Sequence, residues 1–140
     1  MIKYVTIEYF IDNFGSKIPE EQIKRYLKKA QGEVENYCAN RILTTIRTKL
    51  GNIYDDFKNL DLVDINSLFK IFSDYEMDKI QDTICEYACF LYENDDVLNS
   101  VVTSMSANGA TVSFTKEDVE NLKYKTLSNM DNTRFRNAIT

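Results

Sequence analysis

Histidine is absent from the chain, and with it the side chain that most often acts as general base or metal ligand near neutral pH. The sequence also contains no glycine-rich phosphate loop, no G-x-S-x-G elbow and no H-E-x-x-H pair. The common motifs of nucleotide binding, acyl transfer and zinc hydrolysis are therefore missing. We predict that the protein is not an enzyme and that it needs neither a cofactor nor a metal ion.

Proline and glycine are scarce, with one and four residues respectively among 140, which argues against a chain made mostly of loops. Long apolar runs are also missing, since none approaches the ~18 residues that a membrane span needs. The opening residues, 1–6, lack the apolar core and the cleavage site of a signal peptide. These observations predict an ordered domain that has no membrane segment and is made in a cytoplasm.

Positive charge is in short supply, because 17 lysines and arginines face 22 aspartates and glutamates, for a net charge of −5. Phosphate contacts dominate the affinity for nucleic acid, so a protein that grips DNA normally presents a basic surface. We therefore expect any DNA affinity to be no better than ordinary non-specific binding. The competing class, a small helical DNA-binding or regulatory protein, would need a basic recognition helix in a helix-turn-helix motif, and that motif is not completed here.

Cysteine is limited to three residues, Cys38, Cys85 and Cys89. The odd number argues against a disulfide framework, and the C-x-x-C spacing of common zinc sites is absent. Cys85 and Cys89 would lie one helical turn apart, so a site of three thiolates is the alternative, and metal analysis of the purified protein would detect it. We predict instead that all three are buried and act as small apolar side chains.

The sequence does contain two long amphipathic segments. In the first, residues 18–42, apolar residues recur at steps of four and three, so they form one stripe along a helix. Pro19 suits the first turn of this helix, because it has no amide hydrogen to lose and its φ is already helical. The stripe consists of Ile23, Leu27, Ala30, Val34 and Tyr37.

The second segment, residues 73–94, carries a stripe with the same spacing. Ser73 and Glu76 match the S-x-x-E pattern of a capping box, which satisfies free amides at the start of a helix. Each stripe needs an apolar partner, so we predict a mainly α protein, a small helical bundle around two long antiparallel helices. The second stripe consists of Met77, Ile80, Ile84, Tyr87 and Leu91.

Weaker patterns surround these two helices. Thr6 is placed to cap a short helix over residues 6–14, and Gly15 is placed to stop it. Residues 44–50 alternate partly and are rich in threonine and isoleucine, which favours a short strand. Further on, Asp64 is placed to cap another short helix.

A change of pattern follows the second long helix. Residues 100–114 are rich in serine and β-branched residues, and Asn108-Gly109 takes positive φ at low cost, so the pattern predicts a β-hairpin before a last helix capped by Thr115. As an arm, this hairpin would pair its free edges with another copy, and the alternative is a loop folded onto its own domain. The predicted interface residues are Val101, Thr103, Met105, Asn108, Gly109, Val112 and Phe114.

The chain then divides into a helical domain, residues 1–129, and a C-terminal tail, residues 130–140. The tail is too polar to fold alone, so we expect it to be disordered in the isolated subunit. An aromatic residue between two arginines is typical of an interface anchor, although a frayed end without a role is the alternative. The residues predicted to contact a partner or a neighbouring subunit are Arg134, Phe135 and Arg136.

Taken in order, three stretches resemble the head–tail connector proteins of long-tailed bacteriophages, also called adaptor or head-completion proteins. The first is Tyr4-Val-Thr, a short helix, and then the helix that begins at Ile18-Pro-Glu-Glu and runs to residue 42. The second is the helix over residues 80–93. The third is the serine-rich stretch with a glycine turn, residues 101–114, before the last helix. No single motif is specific for the family, whereas the order and spacing of all three are.

The resemblance implies a mostly α-helical subunit that assembles as a homo-oligomeric ring, of twelve copies to match the capsid portal above it. The other face of such a ring receives the tail or a stopper protein, and DNA passes through the lumen without tight binding. The protein would then belong to the virion, assembled in the host bacterial cytoplasm, and its tail would contact the portal protein or a neighbour. The family has no catalytic residues to carry over. The acidic net charge agrees with a channel that must release DNA.

Overall fold

The computed structural model describes residues 2–50 and 63–136, and of residue 50 and residues 95–119 it describes the backbone alone. Over these ranges the chain is mainly α-helical, as the sequence predicts, and no strand is found there. The elements in chain order are α1 (Ile7–Phe14), α2 (Glu20–Tyr37), α3 (Arg41–Leu50), α4 (Ile65–Ile71), α5 (Asp74–Leu127) and a 3₁₀ helix (Ser128–Asn132).

Local sequence signals set the starts of α1, α4 and α5. Thr6 and Asp64 each accept a hydrogen bond from the backbone amide three residues later, at 3.0 Å and 2.8 Å. At the start of α5, Ser73 and Glu76 form the predicted capping box, in which each side chain accepts from the other residue's amide. Gly15 ends α1 with a φ of 68°, a value that glycine adopts without strain. These four predictions are confirmed.

The body of the protein is α2 packed against the first part of α5. Near the start of α2, Tyr26 meets the ring of Tyr92, with centroids 5.5 Å apart. Near the end of α2, Glu35 and the earlier α5 residue Gln81 both bind Tyr4. The two helices therefore run antiparallel.

Both predicted stripes lie in this contact, with Tyr37 and Leu91 half-buried at its margins. Each large apolar side chain removed from water contributes roughly 1.5–3 kcal/mol, so the contact between the stripes is the main source of stability in the body. The stripe residues that are buried are Ile23, Leu27, Ala30, Val34, Met77, Ile80, Ile84 and Tyr87.

The N-terminal segment, residues 2–5, is held between the two long helices. Gln31 of α2 donates its side-chain amide to the carbonyl oxygen of Ile2 at 2.6 Å. Gln81 of α5 donates to the carbonyl oxygen of Tyr4 at 3.0 Å. Ile2, Tyr4, Gln31 and Gln81 are all buried, so the two hydrogen bonds satisfy backbone oxygens that water does not reach. Apart from the exposed Lys3, the segment is therefore part of the core.

Residues 44–50 belong to α3, so the predicted short strand is wrong. The chain enters α3 through a corner at Ala39 and Asn40, which have φ values of 53° and 59°. Ile42 and Ile46 are fully buried and lie four residues apart, which is a helical spacing. The three threonine hydroxyls of α3 donate to carbonyl oxygens one turn earlier, at 2.8 Å to 3.0 Å. These bonds satisfy the hydroxyls but do not favour a helix, so it is tertiary burial that outweighs the β-propensity of threonine and isoleucine.

The β-hairpin predicted for residues 100–114 is not found, because α5 is helical from Asp74 to Leu127. The last helix predicted to begin at Thr115 is likewise part of α5. A two-stranded hairpin without further strands is marginal in water. Extending a helix that is already capped adds one backbone hydrogen bond for each residue fixed, which favours the helix over the hairpin.

α5 does not run straight over its 54 residues. Asn129 of the 3₁₀ helix donates to the Glu86 carboxylate at 3.0 Å, although the 43 positions between them would span roughly 64 Å along a straight helix. Lys123 likewise lies 3.7 Å from Glu33 of α2. The chain direction therefore reverses between Glu86 and Asn129, and the end of α5 lies beside its first part.

The residues after the 3₁₀ helix pack at the start of α5. Phe135 is 1% exposed and meets the ring of Phe72 edge-on, with centroids 5.3 Å apart. Arg134 lies over both rings, and its guanidinium binds the Glu76 carboxylate at 2.6 Å. These contacts attach the C-terminal residues to α5.

This arrangement corrects the expectation of a free tail. The predicted boundary between residues 129 and 130 falls inside the 3₁₀ helix. Residues 130–136 are part of the folded body, and residues 137–140 lie outside the described ones. The tail folds onto the body because the ring of Phe135 buries a large apolar area, although most residues of the tail are polar.

We expect Phe135→Ala to destabilise the protein by about 3–5 kcal/mol, the usual cost of emptying a buried phenylalanine site. Urea unfolding followed by circular dichroism measures this change. Arg136→Ala is the control, because residue 136 is exposed, and it should alter the free energy of unfolding by no more than about 0.5 kcal/mol. Equal stability of the two variants would show that Phe135 is not buried in the folded protein.

Candidate interaction surface

The exposed side of α2 carries four cations, Lys24, Arg25, Lys28 and Lys29. They lie on one side of the helix because the apolar stripe occupies the other. Arg25 and Lys29 lie over the ring of Tyr26, at 5.4 Å and 5.7 Å from its centroid. Lys24 and Lys28 instead flank the N-terminal segment.

A groove of about 330 Å³ runs between α2 and the N-terminal segment. Its floor is apolar and consists of Ile2, Val5 and Leu27, which are at most 6% exposed. Its rim is exposed and cationic and consists of Lys3, Lys24 and Lys28. We call this site the basic groove.

None of the three rim lysines forms an ion pair with an acidic residue in the ranges 2–50 and 63–136. Lys24 and Lys28 are four residues apart on a helix, so their Cβ atoms are about 5–6 Å apart and their charges repel each other. A carboxylate or phosphate placed between them would relieve this repulsion, so the basic groove favours an anionic partner.

A group of carboxylates lies on the other side of α1. The Tyr9 hydroxyl donates to Asp82 of α5 at 2.6 Å. Asp78 lies one turn earlier on α5, and Asp12 lies three residues after Tyr9, on the same face of α1. Burial, the hydrogen bond to Asp82 and the charges of Asp82 and Asp78 all raise the pKa of Tyr9, so its hydroxyl remains a neutral donor. We call Asp12, Asp78 and Asp82 the acidic cluster.

The basic groove and the acidic cluster flank α1 on opposite sides. Ile7 lines the basic groove beside Lys24. Tyr9, which contacts the acidic cluster, follows Ile7 by two positions, about 200° around a helix. The two surfaces therefore face away from each other.

Glu35 is a half-buried carboxylate at the end of α2. The hydroxyl of Tyr4 donates to Oε2 of Glu35 at 3.0 Å. Burial raises the pKa of Glu35 above its ordinary value of 4.5, and the hydrogen bond from Tyr4 opposes this shift. Burial and the charge of Glu35 raise the pKa of Tyr4, which keeps the hydroxyl protonated. The pair fastens the N-terminal segment to α2.

The three cysteines are free and buried, which confirms the prediction of burial. Burial raises the pKa of Cys38 to about 12 and that of Cys89 to about 11, and it also raises the pKa of Cys85. All three therefore remain thiols at neutral pH, the form that is not nucleophilic.

In the part of the chain that the structure describes, no three or more cysteine, aspartate or glutamate side chains are grouped to hold a metal ion. No helix in that same part is long and apolar enough to cross a membrane.

The residues that the sequence singled out as partner contacts are divided by the structure. Phe135 is in the core, so its ring is not available as the predicted anchor, whereas Arg134, which binds Glu76, and Arg136 are both exposed, and their contact with a partner stays a prediction. The seven predicted interface residues lie within α5, and their side chains are outside the described ones, so their role stays a prediction. They are Val101, Thr103, Met105, Asn108, Gly109, Val112 and Phe114.

No protein family, curated protein or solved structure gives a significant match to this chain. The inference of function therefore depends on the order of the elements and on the surfaces described above.

In the sequence, the only sign of the basic groove is the pair of lysines at residues 24 and 28. By itself this pair indicates only the solvated side of an amphipathic helix. The groove itself is formed when Ile2, Lys3 and Val5 are laid along α2, a contact between parts of the chain that no local pattern encodes. Gln31 and Gln81 carry that contact.

The pH dependence of stability tests the Glu35–Tyr4 pair. A carboxyl whose pKa is raised on folding binds protons more tightly in the folded state, so its favourable contribution is complete below about pH 4.5 and is lost as the pH rises through the folded pKa. Glu35→Gln removes this loss, because the amide oxygen still accepts from Tyr4. The melting temperature of the variant minus that of the wild type should therefore increase from pH 4 to pH 7, each at about the same ionic strength.

The control for this experiment is Glu21→Gln, which removes an exposed carboxylate from the same helix. Its difference from the wild type should stay small over the whole pH range. The same pH trend for both variants would show that Glu35 has no special part in it.

Thiol reactivity tests the burial of the cysteines. At pH 8 the native protein should react slowly with a disulfide reagent such as dithionitrobenzoate, because little thiolate forms and the sulfurs are enclosed. After unfolding in guanidinium, all three cysteines should react rapidly. A fast stoichiometric reaction in the native state would contradict the enclosed positions.

Proposed function

We propose that the protein is a head–tail connector subunit of a long-tailed bacteriophage, or of a particle derived from one. In this role it assembles as a ring between the capsid portal and the tail or stopper and extends the channel for DNA. The observation that carries the proposal is the order of its elements: a short capped helix, a helix begun by proline, and a long helix that opens with a capping box. This is the order of the first two of the three stretches that resemble connectors, and the third, residues 101–114, is part of α5.

The charge distribution supports the same role. The chain has a net charge of −5, which lowers its affinity for DNA phosphates in a channel that DNA must leave. It nevertheless presents a basic surface on α2 and an acidic one beside α1. Surfaces of opposite sign are what neighbouring subunits need in order to recognise each other.

The remaining parts of the proposal concern the partners. We propose a ring of twelve copies, matching the portal, within the virion. Residues 95–119 of α5, which include the predicted hairpin, replace that hairpin as the proposed assembly arm. Arg134 and Arg136 are the exposed residues of the C-terminal end that we propose contact the portal or a neighbour.

A nucleic-acid-binding or regulatory protein is the second candidate, and the basic groove is the observation that favours it. A mobility shift assay with duplex DNA separates the two functions. A connector should bind no better than about 10⁻⁴ M at physiological salt. Sequence-selective binding at nanomolar protein would favour the regulator.

Ring formation is tested by electron microscopy of the protein mixed with portal rings from the same particle. We expect a closed ring of connector subunits on one face of the portal, with an open channel along the axis, because identical surfaces repeated around an axis close by symmetry. Portal rings alone serve as the control. Binding of a single copy, or of none, would exclude the connector.

A further inference from the structure

The basic groove and the acidic cluster are complementary across two copies of the chain. We propose that the acidic cluster of one subunit docks on the basic groove of the next and forms a head-to-tail interface. This inference rests on the proposed ring, since it names the surfaces through which neighbours in that ring meet.

Charge complementarity is the first argument. The groove has a rim of three lysines, and none of them forms an ion pair within the described ranges. The acidic cluster offers exposed carboxylates at Asp12 and Asp78. Opposite charges brought together at an interface steer association and fix its register. Each copy therefore carries both the groove and the ligand that fits it.

An apolar contact is also available beside the acidic cluster. Tyr75 is 53% exposed and lies three residues before Asp78, on the same face of α5. The floor of the groove is apolar and lies between the lysines. An aromatic ring on the floor with carboxylates on the rim would reproduce the usual division of an interface into an apolar centre and a polar edge.

The positions of the two surfaces decide the symmetry. They are unlike surfaces on opposite sides of α1, so the proposed contact joins the groove of one subunit to the cluster of the next. A contact between two different surfaces is heterologous, and repeating it gives a ring when the rotation closes or a filament when it does not. Free subunits should therefore associate beyond dimers.

The test uses two double variants of the full chain. Lys24→Glu/Lys28→Glu removes the basic groove, and Asp12→Asn/Asp78→Asn removes two charges of the acidic cluster without creating a basic surface that could pair with the reversed groove. Lys70→Glu/Lys125→Glu is the matched control for the first, because it makes the same charge change at two other exposed lysines. Circular dichroism establishes that each variant keeps its helices.

Sedimentation velocity measures the association at about 20 mM salt. The Debye length there is about 20 Å, so charges in contact across an interface are only weakly screened. The wild type and the control should form species larger than dimers as their concentration rises, and added salt should dissociate them. Each of the two double variants should associate at least about tenfold more weakly than the wild type. An equimolar mixture of the two variants should form dimers and nothing larger, because it retains one intact groove and one intact cluster.

Several results would overturn the interface. They are a wild type that stays monomeric up to about 1 mM at low salt, association that is unchanged in both variants, and a mixture that grows beyond dimers. Micromolar binding of duplex DNA that is lost in Lys24→Glu/Lys28→Glu, with self-association unchanged, would instead assign the groove to nucleic acid.

The portal experiment keeps this interface separate from the connector role. If Lys24→Glu/Lys28→Glu still forms rings on the portal, the connector stands and the interface is wrong. If the mixture forms dimers as expected while the wild type fails to dock on the portal, the interface stands and the connector is wrong.

Discussion

The structure depends on the burial of two apolar stripes against each other. α2 is too amphipathic to be stable alone, and the first part of α5 presents the matching stripe. Their antiparallel contact encloses residues such as Ala30, Val34 and Ile80 completely. Because stability in helical proteins comes mainly from such packing and less from intrinsic propensity, the other elements are positioned by where they meet this pair.

Two sets of contacts, mostly polar, hold the two ends of the chain on the body. At the N-terminal side, Gln31 and Gln81 bind the backbone of residues 2–5 and Tyr4 binds Glu35. At the C-terminal side, Phe135 fills a space beside Phe72, and Arg134 crosses to Glu76. A buried polar group costs free energy unless it is bonded, so these contacts specify one position for each chain end as well as stabilising it.

The packing also determines which charges remain available. Because α2 turns its stripe to α5, its lysines lie outside, and the N-terminal segment converts part of that surface into a groove. On the opposite side of α1 from this groove, the hydroxyl of Tyr9 donates a hydrogen bond to Asp82. The result is a subunit with surfaces of opposite sign facing in different directions, a property suited to repeated assembly. The proposed connector uses this polarity between neighbours while its net acidity keeps DNA from adhering.

Local patterns in the sequence determined where the helices begin and which of their faces are buried. The caps at Thr6, Asp64 and Ser73 act over three residues, and the stripes repeat every three or four, so both signals lie within one or two turns of the chain. Residues 100–114 continued α5 because propagation of a capped helix outweighed the turn preference of Asn108-Gly109, a balance of local preferences. Two other outcomes were decided by tertiary structure: residues 44–50 became helical because Ile42 and Ile46 are buried together, and Phe135 entered the core. The basic groove belongs with them, since it needs residues 2–5 beside residues 24–28. Each of these outcomes depends on a contact between distant parts of the chain, and composition and spacing carry no record of such contacts.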